Sequence, residues 1–426
     1  GGLYREYFKA NLKKNVFKSW HYEKKYLFKC IVFLISFMSV CYLLMDTWRS
    51  INISIPKPYN KMSPSNQFLT IASQITLNSD QIQLLYTLAN QDMDWDLVLK
   101  KSNTHAVSQL IYFSLKKHNL LSIVPKEVES KWQQAYWKTA MHNQSLQMQW
   151  RQVQKHIPFD CILLKGMALS KLLYPSIGIR SMGDIDLLVP KEKVAGLWKK
   201  LLPEFESTTS EKSEVYSRNS SHLPPLIKRG LTLELHWNIS RGNQFSYLLP
   251  ALWREALVLE NNIYALSYDF MLLHLCIHFA KHYQKQVGLR MLCDINEWVL
   301  KYKKQIQWNQ IQAYCENDKD LKSALQLTLS FTHSLLQTPI PSYFIKEGDF
   351  SMEQLEQGAG LSPLQSNWQN IKQLDSMADK VEYIYRFFYP DKKHILWRYG
   401  ADKNKPIWRL RFQYWKEMLG RLHNAK

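Results

Sequence analysis

Gly183-Asp184-Ile185-Asp186-Leu187-Leu188-Val189 is the stretch whose reading decides the fold. On a β-strand successive side chains alternate, so Asp184 and Asp186 share one face while Ile185, Leu187 and Val189 share the other. Two adjacent carboxylates over an apolar layer repel each other unless a cation or a proton lies between them. A hard divalent ion with oxygen ligands, Mg²⁺ or Mn²⁺, suits such a pair when phosphates complete its shell. The spacing alone leaves two other readings open. The pair can cap the preceding turn, or it can be the Asp-x-Asp of a metal-dependent glycosyltransferase.

Working outward, Thr232-Leu233-Glu234-Leu235-His236-Trp237 also alternates, with Thr232, Glu234 and His236 on one face. If this strand neighbours the first, Glu234 supplies a third carboxylate. Three carboxylates can hold two metal ions about 3.5–4 Å apart. Upstream, the apolar run Phe159 to Leu164 reads as a buried strand, and Lys165-Gly166 leads into a helix over Met167 to Leu173. A glycine there lets backbone amides approach a phosphate at the helix N-terminus. Lys165 and Arg180 add positive charge, and Arg180 can grip phosphate oxygens in bidentate fashion. A strand-Gly-helix junction is common and by itself unspecific.

Together, Leu164-Lys165-Gly166, Tyr174-Pro175, Arg180, the Asp-x-Asp run and Glu234-Leu235-His236-Trp237 resemble the uncharacterised bacterial nucleotidyltransferase family of the polymerase β-like superfamily. The resemblance runs from about residue 70 to 340, and its specific parts are the Asp-x-Asp run and the Glu-Leu-His-Trp. It implies an α+β fold: a small mixed-sheet polymerase β-like nucleotidyltransferase core flanked by N- and C-terminal helical regions. It implies that Asp184, Asp186 and Glu234 are the catalytic metal carboxylates, and that Lys165, Gly166, Arg180 and Gly183 bind the nucleotide. An NTP is then the co-substrate and Mg²⁺ or Mn²⁺ the cofactor, with a nucleoside monophosphate passing to an acceptor hydroxyl. The superfamily usually places Gly-Ser or Gly-Gly where this chain has Gly166-Met167, and the interval from Gly166 to Asp184 is longer than usual.

His274, His278 and His282 recur every fourth residue along one helix stripe. No His-Glu-x-x-His signature accompanies them, and a packed helix face is the commoner use of such a stripe. Arg290 and Asp294, also four apart, read as a helix salt bridge. By the resemblance, His236, His278, His282, Arg290 and Asp294 line an acceptor pocket.

The 426-residue chain carries a net charge of +19, placed at its ends. Residues 1–61 hold eleven Lys/Arg against three Asp/Glu, and residues 381–426 hold eleven against four. The central body is therefore no generic polyanion binder. Six scattered cysteines without paired spacing fit free thiols in a reducing compartment and offer no zinc knuckle.

The organisation reads as a basic segment 1–65 with a hydrophobic helix at 30–45 and a proline-bearing linker; a helical flank 66–157; the catalytic core 158–245; a C-terminal helical region 246–345; and a linker with a basic, aromatic tail 346–426. Residues 30–45 are short for a spanning helix, which wants roughly 17–25 residues. That segment and the tail, which mixes Trp397, Trp408, Phe412 and Trp415 with arginines, suit an anionic membrane surface, with nucleic acid less favoured. The expectation is a cytoplasmic nucleotidyltransferase, with two readings open for its ends: membrane contact through residues 30–45 or the tail, or a buried or docked hydrophobic helix at 30–45 and a docked amphipathic helix in the tail. The alternatives are the glycosyltransferase and a non-catalytic nucleotide-binding partner protein.

Overall fold

The computed structural model describes residues 62–207, 220–283, 287–359, 371, 377–390, 392–399 and 406–423. The hydrophobic segment 30–45 lies outside them. Among the described residues no helix is long and apolar enough to cross a membrane.

Five helices come first: α1 (Pro64–Ala72), α2 (Ser79–Ala89), α3 (Trp95–Thr104), α4 (Ser108–Lys117) and α5 (Lys126–Gln154). Local chemistry starts them where they start. At α2, Asn78 Oδ1 accepts from the Gln81 amide at 2.8 Å and Gln81 Oε1 accepts from the Asn78 amide at 3.0 Å, a reciprocal cap. On α5, Trp132, Leu146, Trp150 and Val153 turn inward, while Trp137, Met141 and Met148 stand exposed among the polar residues of its outer surface.

The middle of the chain builds β1 (Cys161–Leu163), α6 (Lys165–Leu172), β2 (Ile185–Leu188), α7 (Lys191–Leu201), β3 (Glu206–Ser207), β4 (Leu226–Lys228), β5 (Leu231–His236), α8 (Leu249–Arg254), β6 (Leu257–Glu260) and β7 (Ile263–Ala265). These strands form one mixed sheet in the order β3-β4-β5-β2-β1-β7-β6. Strand β2 runs parallel to β5 and antiparallel to β1, and β1 runs parallel to β7. The α+β class expected from the sequence is therefore seen. Four helices follow, α9 (Tyr268–Tyr283), α10 (Leu289–Tyr302), α11 (Trp308–Glu316) and α12 (Lys319–Leu336), and then α13 (Met352–Gln357). Three more, α14 (Met377–Phe388), α15 (Lys392–Tyr399) and α16 (Ile407–His423), lie in the basic tail, where Trp408 and Phe412 are exposed.

The helical reading of the segment after Tyr247 needs correction, because β6 and β7 form a hairpin there and extend the sheet past β1. Asn261 at the turn takes φ 26°, a positive value that Asn tolerates better than most residues. The Asn262 side chain then ties the hairpin down, donating to the carbonyls of Ile157 at 2.7 Å and Phe159 at 2.9 Å. A second tight turn, Arg229-Gly230, has both residues at positive φ and joins β4 to β5.

One hydrophobic cluster runs continuously from Phe68 to Leu355 and includes Trp132, Trp150 and Trp298. Strand β2 sits at its centre, with all four residues buried, so Asp186 is a carboxylate in the interior of the sheet. Burial of that kind needs partners.

Candidate active site

Asp186 finds its partners on two neighbouring elements, β5 and the start of α6. In the β2–β5 register Asp186 stands opposite Glu234, and Leu188 opposite His236. Lys165, at the β1–α6 junction, donates from Nζ to Asp186 Oδ1 at 2.8 Å, and His236 Nε2 donates to the same oxygen at 2.9 Å. His236 Nε2 also lies 3.3 Å from Glu234 Oε2. Ligand atoms of Asp186, Glu234 and His236 all fall within 4.8 Å of one another.

The electrostatics follow from these contacts. Burial alone would raise the Asp186 pKa, but Lys165 and His236 outweigh it and hold the carboxyl well below its ordinary value. Glu234 is likewise lowered: burial opposes its charge, and the hydrogen bond from His236 and the nearby His222 overcome that. Asp184 behaves oppositely. Standing one residue before β2, half-buried and without a bonded cation, it is pushed up to about 6 by burial and then by the Asp186 charge.

The donor set suits a divalent ion. It offers carboxylate oxygens from Asp186 and Glu234, with Asp184 beside them and one imidazole nitrogen, a mixture compatible with Mg²⁺ or Mn²⁺. The Lys165 ammonium already supplies positive charge at Asp186. Its backbone reaches that position in a left-handed conformation, φ 41°, which costs a lysine on the order of 1 kcal/mol.

The structure revises the roles expected of Gly166 and Arg180. A Cβ at Gly166 would stand 2.7 Å from Arg180 Nη1, so the bare glycine makes room for that guanidinium. Arg180 is 8% exposed and committed to Asp294: Nε lies 2.9 and 3.0 Å from the two carboxylate oxygens, and Nη2 donates at 2.9 Å. Tyr174 donates to Asp294 Oδ1 at 2.5 Å. Desolvation works against the Arg180 cation, but Asp294 keeps its pKa above the ordinary value. The expected helix salt bridge between Arg290 and Asp294 is thus replaced by a pair between Asp294 and Arg180. Arg290 instead donates to the Ser181 carbonyl at 3.3 Å and faces the cavity. Gly183 lines the same cavity, and a side chain there would meet open space.

Lys165, Gly166, Arg180, Gly183, Asp184, Glu234, His236, His278, His282 and Arg290 all border a single cavity of about 670 Å³, with Asp186 beneath its floor. Asp294 lies behind the wall, reaching the cavity only through Arg180. The histidine stripe divides. His278 and His282 line the cavity, whereas His274 is buried with neither ring nitrogen hydrogen-bonded. Burial first, then Lys165, lowers His274 to about 3, so it is neutral. Burial and Lys165 also hold His278 well below its ordinary value.

Several residues here escape sequence reasoning. His222 forms an isolated bridge to His236, its ring 4.9 Å from that of His236, and its Nε2 lies 3.9 Å from Glu234 Oε2. Asn143 on α5 donates to the carbonyls of Ile177 and Arg180, each at 2.7 Å, and accepts from the Met182 amide at 3.3 Å. That contact explains the long interval between Gly166 and Asp184, because the extra chain folds against α5. Asn238 braces the loop after β5 by donating to Gly242 O at 2.9 Å and Gln244 O at 3.1 Å. No local pattern marks these residues; an Asn in a helix or loop has many uses.

Carboxylates on adjacent strands thus meet Lys165, Arg180 and Arg290 around one cavity. A family model described as uncharacterised nucleotidyltransferase matches residues 91–337, more than half of the chain, and the protein belongs to that family of transferases. The matched region contains every residue of the site. No curated protein and no solved structure matches the chain.

Proposed function

We propose that this protein moves a nucleoside monophosphate from an NTP to an acceptor hydroxyl, releasing pyrophosphate, on a polymerase β-like core. The observation that supports this best is the parallel β2–β5 register, which sets Asp186 beside Glu234 at the base of a cavity of about 670 Å³. That volume lies within the roughly 300–1,000 Å³ of ordinary small-molecule sites. Asp184, Asp186 and Glu234 are the residues that would hold one or two divalent ions, with His236 beside them. When bound, such ions neutralise phosphate charge and make the attacking hydroxyl easier to deprotonate.

The chain's own groups supply the rest. Glu234 stays ionised beside His236 and His222, so it is available to take the acceptor's proton. His236 fixes the orientation of Asp186 and Glu234 by reaching both. Arg180, clamped by Asp294, presents Nη1 beside Gly166 as a rigid positive edge at the cavity wall. Such fixed charges need no reorganisation during phosphoryl chemistry.

The test is incubation with each of the four NTPs and Mg²⁺ or Mn²⁺ over a panel of hydroxyl acceptors, following pyrophosphate. Metal-dependent release that Asp186→Asn abolishes supports the reading. Consumption of a nucleotide sugar with no NTP turnover points instead to glycosyl transfer, and NTP binding without any turnover to a binding protein.

A further inference from the structure

Helix α10 begins without a cap of its own. Gly288 stands at its N-cap position and offers no side chain, so the first amides of the helix need acceptors from elsewhere. His105 supplies them from the turn between α3 and α4, across 184 residues of chain. Its Nδ1 accepts from the Leu289 amide at 3.3 Å, and its carbonyl accepts from the Arg290 amide at 3.3 Å. A Cβ at position 288 would stand 2.9 Å from that carbonyl oxygen, so a glycine lets the two segments meet. Because Nδ1 accepts, the ring proton sits on Nε2, which donates to Glu356 Oε1 on α13 at 3.0 Å. Lys101 holds the same oxygen at 2.7 Å. His105 is 2% exposed, and burial lowers its pKa against the pull of Glu356, which keeps the imidazole in this neutral form.

This bracing fixes Arg290. Its Nη1 donates to the Ser181 carbonyl at 3.3 Å, and Arg180 Nη1 lies 3.5 Å from the same oxygen, so the two guanidinium groups stand side by side. Both residues line the cavity. The carboxylate behind them is already used: both oxygens of Asp294 are bonded to Arg180, and one also takes the Tyr174 hydroxyl. Arg290 makes no further hydrogen bond or ion pair with any described residue. Asp184 lines the same cavity and bonds to neither arginine. Two cations that share one anion in a cleft repel each other unless a second anion joins them. Burial, and then Arg180, lower the Arg290 pKa, as befits a cation short of a partner.

We propose that Arg290, with the Nη1 edge of Arg180 beside it, is a seat for a phosphate group on the cavity wall, and that His105 holds it in place from the helical flank. The seat rests on the nucleotidyl-transfer reading for its ligand. An arginine fork matches phosphate oxygens in geometry as well as charge. The carboxylates of β2 and β5 are assigned to metal at the reacting phosphate, so this seat takes a second phosphate, carried by the NTP or by the acceptor. His105 touches no substrate and is a positioning residue.

The probe is inorganic tripolyphosphate with Mg²⁺, titrated calorimetrically into the full chain. The wild type binds it, and Arg290→Met weakens binding by about tenfold or more, as expected for lost charge-assisted contacts to phosphate. Arg290→Lys keeps the charge, loses the fork and lands between them; it carries the test should melting curves show the Met variant unfolded. His105→Phe removes the cap and weakens binding by about threefold or more, yet adds nothing in an Arg290→Met background, the non-additivity of a residue that acts through another. His105→Asn, whose amide oxygen can accept from Leu289, restores affinity towards the wild type. Wild-type affinity in Arg290→Met overturns the seat, and so does a wild type that leaves tripolyphosphate unbound. Equal losses from His105→Phe in both backgrounds overturn the positioning role. Displacement of tripolyphosphate by the NTPs assigns the seat to the nucleotide; binding that no NTP displaces assigns it to the acceptor, and both results support the seat. Unchanged affinity in Arg290→Met beside turnover that Asp186→Asn abolishes removes the seat and leaves nucleotidyl transfer standing. Arg290-dependent binding without turnover of any NTP does the reverse.

Discussion

A methyl group at position 166 would stand 2.7 Å from Nη1 of Arg180 and 3.1 Å from Met182 Cγ, and the guanidinium cannot retreat without leaving Asp294. Gly166→Ala is therefore expected to cost about 1–3 kcal/mol, read as a lower denaturant midpoint. Removing the other end of the pair is worse. Asp294→Ala leaves a buried guanidinium without its anion and also strands the Tyr174 hydroxyl, a loss of about 3–5 kcal/mol. Unchanged unfolding curves in both variants would contradict the pairing. Glu234 is half-buried and its interior neighbour is Asp186, so Glu234→Gln keeps the fold while lowering metal-dependent turnover by about a hundredfold or more. A Gln variant with wild-type turnover removes Glu234 from the chemistry. Asp186 and Glu234 were legible in the sequence because alternation on a strand fixes which side chains share a face. The Arg180–Asp294 pair was not, since its members lie 114 residues apart and the nearer Arg290 offered a plausible local partner.

Strands β2 and β5 could be read directly, because apolar and polar residues alternate along β5 and an apolar run surrounds Asp186 in β2. The hairpin β6–β7 could not. Its strands are four and three residues long, its turn lacks glycine, and helical segments lie on both sides. Tertiary bonds decide it instead, which gives a prediction: Asn262→Ala removes donors to Ile157 and Phe159 and costs about 1–3 kcal/mol, seen in thermal melting. Helix α9 carries a pH signature. His274 has an ordinary value of 6.5 and is lowered to about 3 in the fold by burial. Below 6.5 the unfolded chain takes up a proton that the folded chain refuses, so this group's penalty is absent above that pH and grows as pH falls towards 3. His274→Phe should thus lose less stability than the wild type between neutral pH and pH ~5, by about 2 kcal/mol in urea midpoints. Parallel pH profiles for the two proteins would show that the imidazole is not held neutral.

Over the whole molecule, separate stretches of chain meet at one cavity: residues 165–184 with the β1–α6 junction, residues 222–245 with β5, residues 277–282 on α9, Arg290 on α10, and residues 320–327 on α12. The first two bring the carboxylates together with Lys165 and Arg180, α9 brings His278 and His282, and α10 brings Arg290, so the site exists only once the sheet has paired and α9 has packed against α10 and α12. The sequence reveals the carboxylates through local periodicity; the pairing of Arg180 with Asp294 depends on helix packing and has no local signature. The central claim is that Asp186 and Glu234 together hold a divalent ion beneath a nucleotide. Anomalous diffraction from crystals of the full chain with Mn²⁺ and a non-hydrolysable NTP tests it most directly. The account predicts a manganese peak between the Asp186 and Glu234 carboxylates, with the triphosphate in the cavity above them. Nucleotide bound in the cavity with no manganese at those carboxylates would contradict it.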